Sequence, residues 1–189
     1  MKQARVPSDS EMKRLWGAVA LTKLAGRNRV AFALSYYGGM RVGEIAALTW
    51  SDVVDREGQL REVIQLRAET TKTDESRAVF VNDKLKKELV QYVRSFSSRP
   101  AHDQPFLLTH KRTAFSANTL CQLFGQLYQS AGIDGASSHS GRRWFITKLA
   151  HSGISPKVIM TLAGHKNLTT TQRYIEVNDE LMRRAVEFL

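Results

Sequence analysis

Four segments of the sequence carry polar or basic side chains in an apolar setting. Arg41 and Glu44 stand three apart, a spacing that shares one helix face. Lys72 lies in the polar run Thr70-Thr71-Lys72-Thr73-Asp74-Glu75. His139 and Arg142 are again three apart, at what reads as a helix N-terminus, where exposed N–H groups favour anions. Leu162-Ala163-Gly164-His165 is followed by Tyr174, nine positions after the histidine. Two arginines, a lysine and two histidines against one carboxylate form a set suited to an anion. An anionic ester resists attack because its charge repels nucleophiles and its alkoxide leaves poorly. Carboxylate-held metal ions solve that problem, and so does a cluster of fixed cations with a protein nucleophile. This composition fits the second solution.

Taken singly, each residue has a plainer reading. Arg41 pairs with Glu44 at the surface, Lys72 is a solvated loop charge, and His139 is structural. His165 caps the preceding helix, and Tyr174 is a half-buried packing residue. Only the ordered set promotes them. His102, His110 and His151 match no pattern and read as loop or surface residues.

The elements that must position these groups follow from periodicity. Ser8-Asp9-Ser10-Glu11 is a capping-box signature, and Met12, Leu15, Trp16 and Val19 then repeat at helical spacing. A second helix is predicted from Asn28 to Tyr37, broken by Gly38-Gly39, and a short one over 40–48. Between 53 and 81 the texture changes to period two. Strands near 62–67 and 77–81 flank a hairpin tip at 70–75. Helices are predicted over 83–96, 116–131, 140–151 and 155–163. A last, amphipathic helix is predicted over 179–189, with Leu181, Met182, Ala185, Val186 and Leu189 apolar.

A chain of 189 residues, 42% of them hydrophobic, suffices for one globular domain. No stretch nears the roughly 20 consecutive apolar residues of a membrane helix. The start, Met1-Lys2-Gln3-Ala4-Arg5-Val6-Pro7, lacks the apolar core of a signal peptide, so a cytosolic location is expected. Cys121 is the only cysteine, which excludes an intramolecular disulfide and a thiolate-rich metal site. Beside Leu120, Phe124 and Leu127 it reads as a buried, inert thiol. Lys and Arg total 28 against 18 Asp and Glu, a net charge of +10. Such an excess is the footprint of a polyanionic partner, or more plainly of lysines facing water.

In its order and spacing the set resembles the tyrosine recombinases of phage-integrase type. That family is marked by R-x-x-E, a hairpin lysine, H-x-x-R, L-x-G-H, and a tyrosine nine residues beyond. Here these are Arg41 with Glu44, Lys72, His139 with Arg142, Leu162 with Gly164 and His165, and Tyr174. The resemblance runs from Ser8 onward. It implies an α+β, mostly helical catalytic domain with a small antiparallel β-sheet, spanning 1–189. It also implies metal-independent cleavage and rejoining of DNA strands through a covalent 3′-phosphotyrosine bond, without a cofactor. Tyr174 is then the nucleophile, and Arg41 and Arg142 fork onto the non-bridging oxygens. Lys72 protonates the departing 5′-oxygen, His139 accepts a proton, His165 hydrogen-bonds the phosphate, and Glu44 buttresses the cations.

The implied partners are double-stranded DNA and further copies of the chain, as a tetramer assembled through the 179–189 helix. Folding of that helix onto its own domain is equally open. The implied location is the nucleoid. A type IB topoisomerase-like enzyme and a catalytically silent DNA-binding relative are the alternatives, with a metal-dependent nuclease third. The spacing from L-x-G-H to the tyrosine favours a recombinase, and the intact set speaks against a silent relative. Three departures stand out. Gly141 replaces a common leucine and is expected to loosen its helix. Arg143 replaces a common histidine and cannot titrate. The N-terminal helical domain usual in the family is absent, so the chain is a fragment or a short form.

Overall fold

The computed structural model describes residues 4–68, 76–175 and positions 182, 183, 186 and 187. The hairpin tip with Lys72, and most of the helix expected over 179–189, lie outside the described residues.

Helix α1 (Asp9–Ala20) starts as its capping signature predicts. The Ser8 hydroxyl accepts from the Glu11 N–H at 3.3 Å, and the Glu11 carboxylate accepts from the Ser8 N–H at 2.9 Å. Helix α2 (Ala25–Tyr36) begins three residues before Asn28. Its polar first turn is tied down by Arg27, which donates to the Leu108 carbonyl at 3.0 Å, and by Asn28, which donates to the Thr22 hydroxyl at 3.0 Å. A helix start made of polar groups carries no apolar period to detect. Beyond that turn α2 is buried on all sides from Val30 to Tyr36.

The rest of the domain is wrapped round α2. Helix α3 (Val42–Ala46) and the single turn α4 (Trp50–Val53) precede an antiparallel pair, β1 (Val63–Leu66) and β2 (Arg77–Phe80). In that pair Val63 faces Phe80 and Leu66 faces Arg77. Helices α5 (Asp83–Arg94), α6 (Ala117–Ser130), α7 (Ser140–His151), α8 (Pro156–Ala163) and α9 (Leu168–Gln172) complete the described order. The fold is thus the expected α+β arrangement, mostly helical with one small antiparallel sheet. The turns α4 and α9 were not expected, being too short for a period to register.

Helices α1, α3, α5 and α7 pack on α2. Helix α6 reaches it through Phe124, stacked on Phe32 at 4.2 Å, and through Tyr128. The buried hydroxyls of Tyr36 and Tyr128 satisfy each other at 2.9 Å. A smaller apolar cluster of Ile146, Ala150, Ile159 and Ala163 joins α7 to α8, and Tyr174 and Ile175 pack against it.

Gly141 is not a weak point. A Cβ there would lie 2.4 Å from the Ser35 Oγ and 2.8 Å from the Tyr36 Cδ2. The glycine is what allows α7 to press against α2, and the helix runs unbroken from Ser140. Cys121 is half-buried, not buried as expected, because it sits beside the apolar stripe of α6. Among the described residues no helix is long and apolar enough to cross a membrane.

Candidate active site

The site is built on one carboxylate. Arg41 does not lie in a helix with Glu44: it is the extended N-cap of α3, at φ −77° and ψ 151°. Glu44, three residues on, reaches back and accepts from the Arg41 backbone N–H at 2.8 Å and from its Nη1 at 2.8 Å. The spacing thus yields an ion pair through capping geometry. Only 1% of the Glu44 side chain is exposed, and an unpaired charge there would be very costly. A second guanidinium completes the pairing, with Arg77 Nη2 at 2.6 Å and Nε at 3.3 Å. Burial pushes the Glu44 carboxyl up. The hydrogen bonds and charge of Arg77, the Arg41 N–H and the charge of Arg142 outweigh it and hold the group below its usual range.

The guanidiniums are spaced by the end of α8. A helix leaves its last carbonyls without intrahelical partners, and they carry the negative end of its dipole. Here the Met160 and Thr161 carbonyls accept from the turn that follows, from the N–H groups of His165 and Gly164. The next three carbonyls each accept from a different arginine. Leu162 takes Arg77 Nη1 at 2.8 Å, Ala163 takes Arg142 Nη2, and Gly164 takes Arg41 Nη2 at 3.2 Å. The Gly39 carbonyl accepts from Arg142 Nη1 at 2.7 Å and Arg77 Nη2 at 3.4 Å. Gly164 turns the chain at φ +60°, and a Cβ there would lie 2.6 Å from the Arg77 Cδ. Burial, then the like charges of Arg41 and Arg77, pull Arg142 down to about 9.

His165 follows directly on that turn. Its Nδ1 lies 2.9 Å from the hydroxyl of the buried Thr171, and its ring stacks on Tyr174 at 6.1 Å and 20°. Helix α9 folds the chain back between the two rings, which turns a nine-residue separation into a contact. Burial, then Arg142, Arg41 and Arg77, pull His165 down to about 4, so the imidazole is neutral at pH 7. Two clefts flank the cluster. One of about 370 Å³ is bordered by Arg77, Phe80, Leu162 and His165. The other, of about 270 Å³, is bordered by Ala4, His139, Arg142, Arg143 and Tyr174.

Folding therefore brings Arg41, Glu44, Arg142 and His165 onto one centre, with Tyr174 attached through the His165 ring. His139 is the N-cap residue of α7, exposed, and shares the second cleft with Arg142 and Tyr174. Lys72 lies outside the described residues. Arg77 was missed. Its one signal was an arginine sharing the alternation of Val79, on what becomes the buried face of β2. His102, His110 and His151 are exposed, as expected.

The architecture belongs to a class already seen in recombinases and integrases. The crystal structure of XerA recombinase overlays 98% of this chain and 65% of its own at a TM-score of 0.75, with 27% identity. The Tn1549 transposon integrase in complex with transposon right end DNA overlays 100% and 67% at 0.79; at 18% identity that likeness is one of fold alone. The chain belongs to the phage integrase family, whose profile matches residues 6–180. Tyrosine recombinase XerA of Pyrococcus furiosus is 28% identical over 184 residues, covering 95% of this chain and 60% of the relative. Tyrosine recombinase XerA of Thermococcus kodakarensis is 32% identical over 181 residues, covering 94% and 60%. The chain thus spans about three fifths of the length of these curated relatives.

Proposed function

We propose that residues 1–189 form the catalytic domain of a site-specific recombinase, which cuts and rejoins double-stranded DNA without metal through a 3′-phosphotyrosine bond at Tyr174. The observation that carries this reading is the charge of the cluster. Arg41, Arg77 and Arg142 supply three positive charges and Glu44 one negative, a net +2 with His165 neutral. A phosphodiester carries one negative charge and its pentacoordinate transition state two. Fixed cations matching the second number stabilise the transition state more than the ground state, which is what catalysis requires. Arg41 and Arg142 also keep N–H groups beyond those bonded to protein, and Arg77 keeps one, since a guanidinium has five.

In the proposed step the Tyr174 oxygen bonds to phosphorus and the phosphorus–5′-oxygen bond breaks. Arg41 and Arg142 hold the non-bridging oxygens, and His165 donates a hydrogen bond to the same phosphate. The phenol proton passes to His139, and Lys72 protonates the departing 5′-oxygen. The new phosphodiester conserves bond energy, so attack by a 5′-hydroxyl reverses the step with no cofactor. Arg77 and Glu44 keep the cations apart and oriented. The protein is read as acting on the nucleoid, as a tetramer held together through 179–189. Support for that segment is its apolar spacing and the exposure of Met182 and Val186, 52% and 66%.

A chelator-treated sample of the chain, mixed with a randomised library of short duplexes, tests the proposal. Detergent-stable protein–DNA adducts are expected, recoverable and sequenceable. Tyr174→Phe should abolish them, a loss of at least about a thousand-fold, while leaving DNA binding intact. Adducts that persist in Tyr174→Phe, or that need a divalent ion, would overturn the assignment.

A further inference from the structure

Adjacent arginines at the start of α7 point to different tasks. Arg142 donates to Gly39 and Ala163 within the cation cluster. Arg143 instead donates from Nη1 to the Ala4 carbonyl at 2.7 Å, and its guanidinium carbon lies 5.6 Å from the centre of the Tyr174 ring. The Nε of Arg143 is buried and has no hydrogen-bond partner among the described residues. The Ala4 carbonyl is itself on a fixed segment. Its neighbour Arg5 donates to the Asp134 carbonyl at 3.0 Å and pairs with Glu11 at 2.9 Å. Tyr174, for its part, is held by its ring, which packs on the Ile146 cluster, stacks on His165 and meets Arg143.

We infer that Arg143 is a positioning residue for the nucleophile: tethered to the Ala4 carbonyl, its guanidinium fixes the Tyr174 ring in the attacking orientation. The inference rests on Tyr174 being the nucleophile. A cation against an aromatic face is attracted by the ring quadrupole without occupying the hydroxyl, so it orients the phenol and leaves the oxygen free to react. A neutral histidine at this position would not supply that permanent charge. The contact also ties the N-terminal segment at Ala4 to the reacting side chain.

The test uses the full chain and a duplex recovered from the adduct selection. Arg143→Met should slow adduct formation roughly ten- to a hundred-fold while DNA affinity stays within about three-fold, a change too small to account for it. Arg143→Lys should recover part of the rate. A duplex with sulfur in place of the bridging 5′-oxygen separates positioning from acid catalysis, because a thiolate leaves without protonation. It should rescue Lys72→Ala and fail to rescue Arg143→Met. A wild-type rate in Arg143→Met, or rescue of that variant by sulfur, overturns the inference. A second reading needs no activity. In protein labelled with fluorotyrosine, the Tyr174 resonance, assigned by its loss in Tyr174→Phe, should shift in Arg143→Met. An unmoved resonance overturns the inference as well. A wild-type chain that forms no adduct sinks the recombinase reading alone, and the resonance still decides the ring contact.

Discussion

A carboxylate as buried as Glu44 remains an anion only while its donors stay in place. Two of them belong to Arg77, whose other bonds reach Leu162 and Gly39. Arg77→Met keeps the volume and removes every one of these bonds. Breaking one side of a buried ion pair costs about 3–5 kcal/mol. A loss of that order is expected in urea unfolding, and one below about 1 kcal/mol would show that the pair is not structural. His165 gives a pH signature. Its folded value near 4 lies below the 6.5 of the unfolded chain. Between those values the unfolded state binds a proton that the folded state refuses. The contribution of this group to stability is therefore full above about 6.5 and falls as the pH drops toward 4. The melting temperature of the wild type should decline over that window more steeply than that of His165→Gln. Parallel curves would contradict the assignment.

Elements position these side chains through close approaches that only glycine permits. Where α7 crosses α2, the space at Gly141 is filled by Ser35 and Tyr36. Gly141→Ala must push the helices apart, and overpacking of this kind costs about 1–3 kcal/mol. Because Arg142 is the next residue, adduct formation should fall with stability. Adding Ser35→Gly clears the nearest atoms but not the Tyr36 ring, so partial recovery is expected in the double variant. Full additivity of the two changes would mean that the sites do not touch. The same logic holds at Gly164, where the left-handed turn lets the last carbonyls of α8 meet three arginines while the Arg77 side chain fills the space a Cβ would need.

At the scale of the molecule the net charge of +10 governs how the chain meets a polyanion. If DNA engages about half of that excess, roughly five phosphates are neutralised, and each releases close to one counterion. Equilibrium binding to duplex DNA should then weaken with salt at a log–log slope of about −4 to −5, measured by fluorescence anisotropy. A slope near zero would mean that the basic residues serve only solubility.

Much of this was legible without coordinates. The order of Arg41, Arg142, His165 and Tyr174 along the chain singled them out through a family resemblance, while the capping box at Ser8, the helical periods of α1, α5, α6 and α7, and the alternation of β1 and β2 are written in short-range patterns. Each depends on neighbours within a few positions, so spacing alone reveals it. Arg77 and the carbonyl cradle were not legible. Their hydrogen bonds join residues 38, 85 and 123 positions apart, and no local period records such pairings. The tertiary structure alone decided that Arg41 caps a helix instead of lying in one, that Gly141 marks a tight crossing, and that Arg143 meets the Tyr174 ring. In each case what decides is packing, which fixes where a buried charge or a missing Cβ can be tolerated, and packing is a property of the assembled chain.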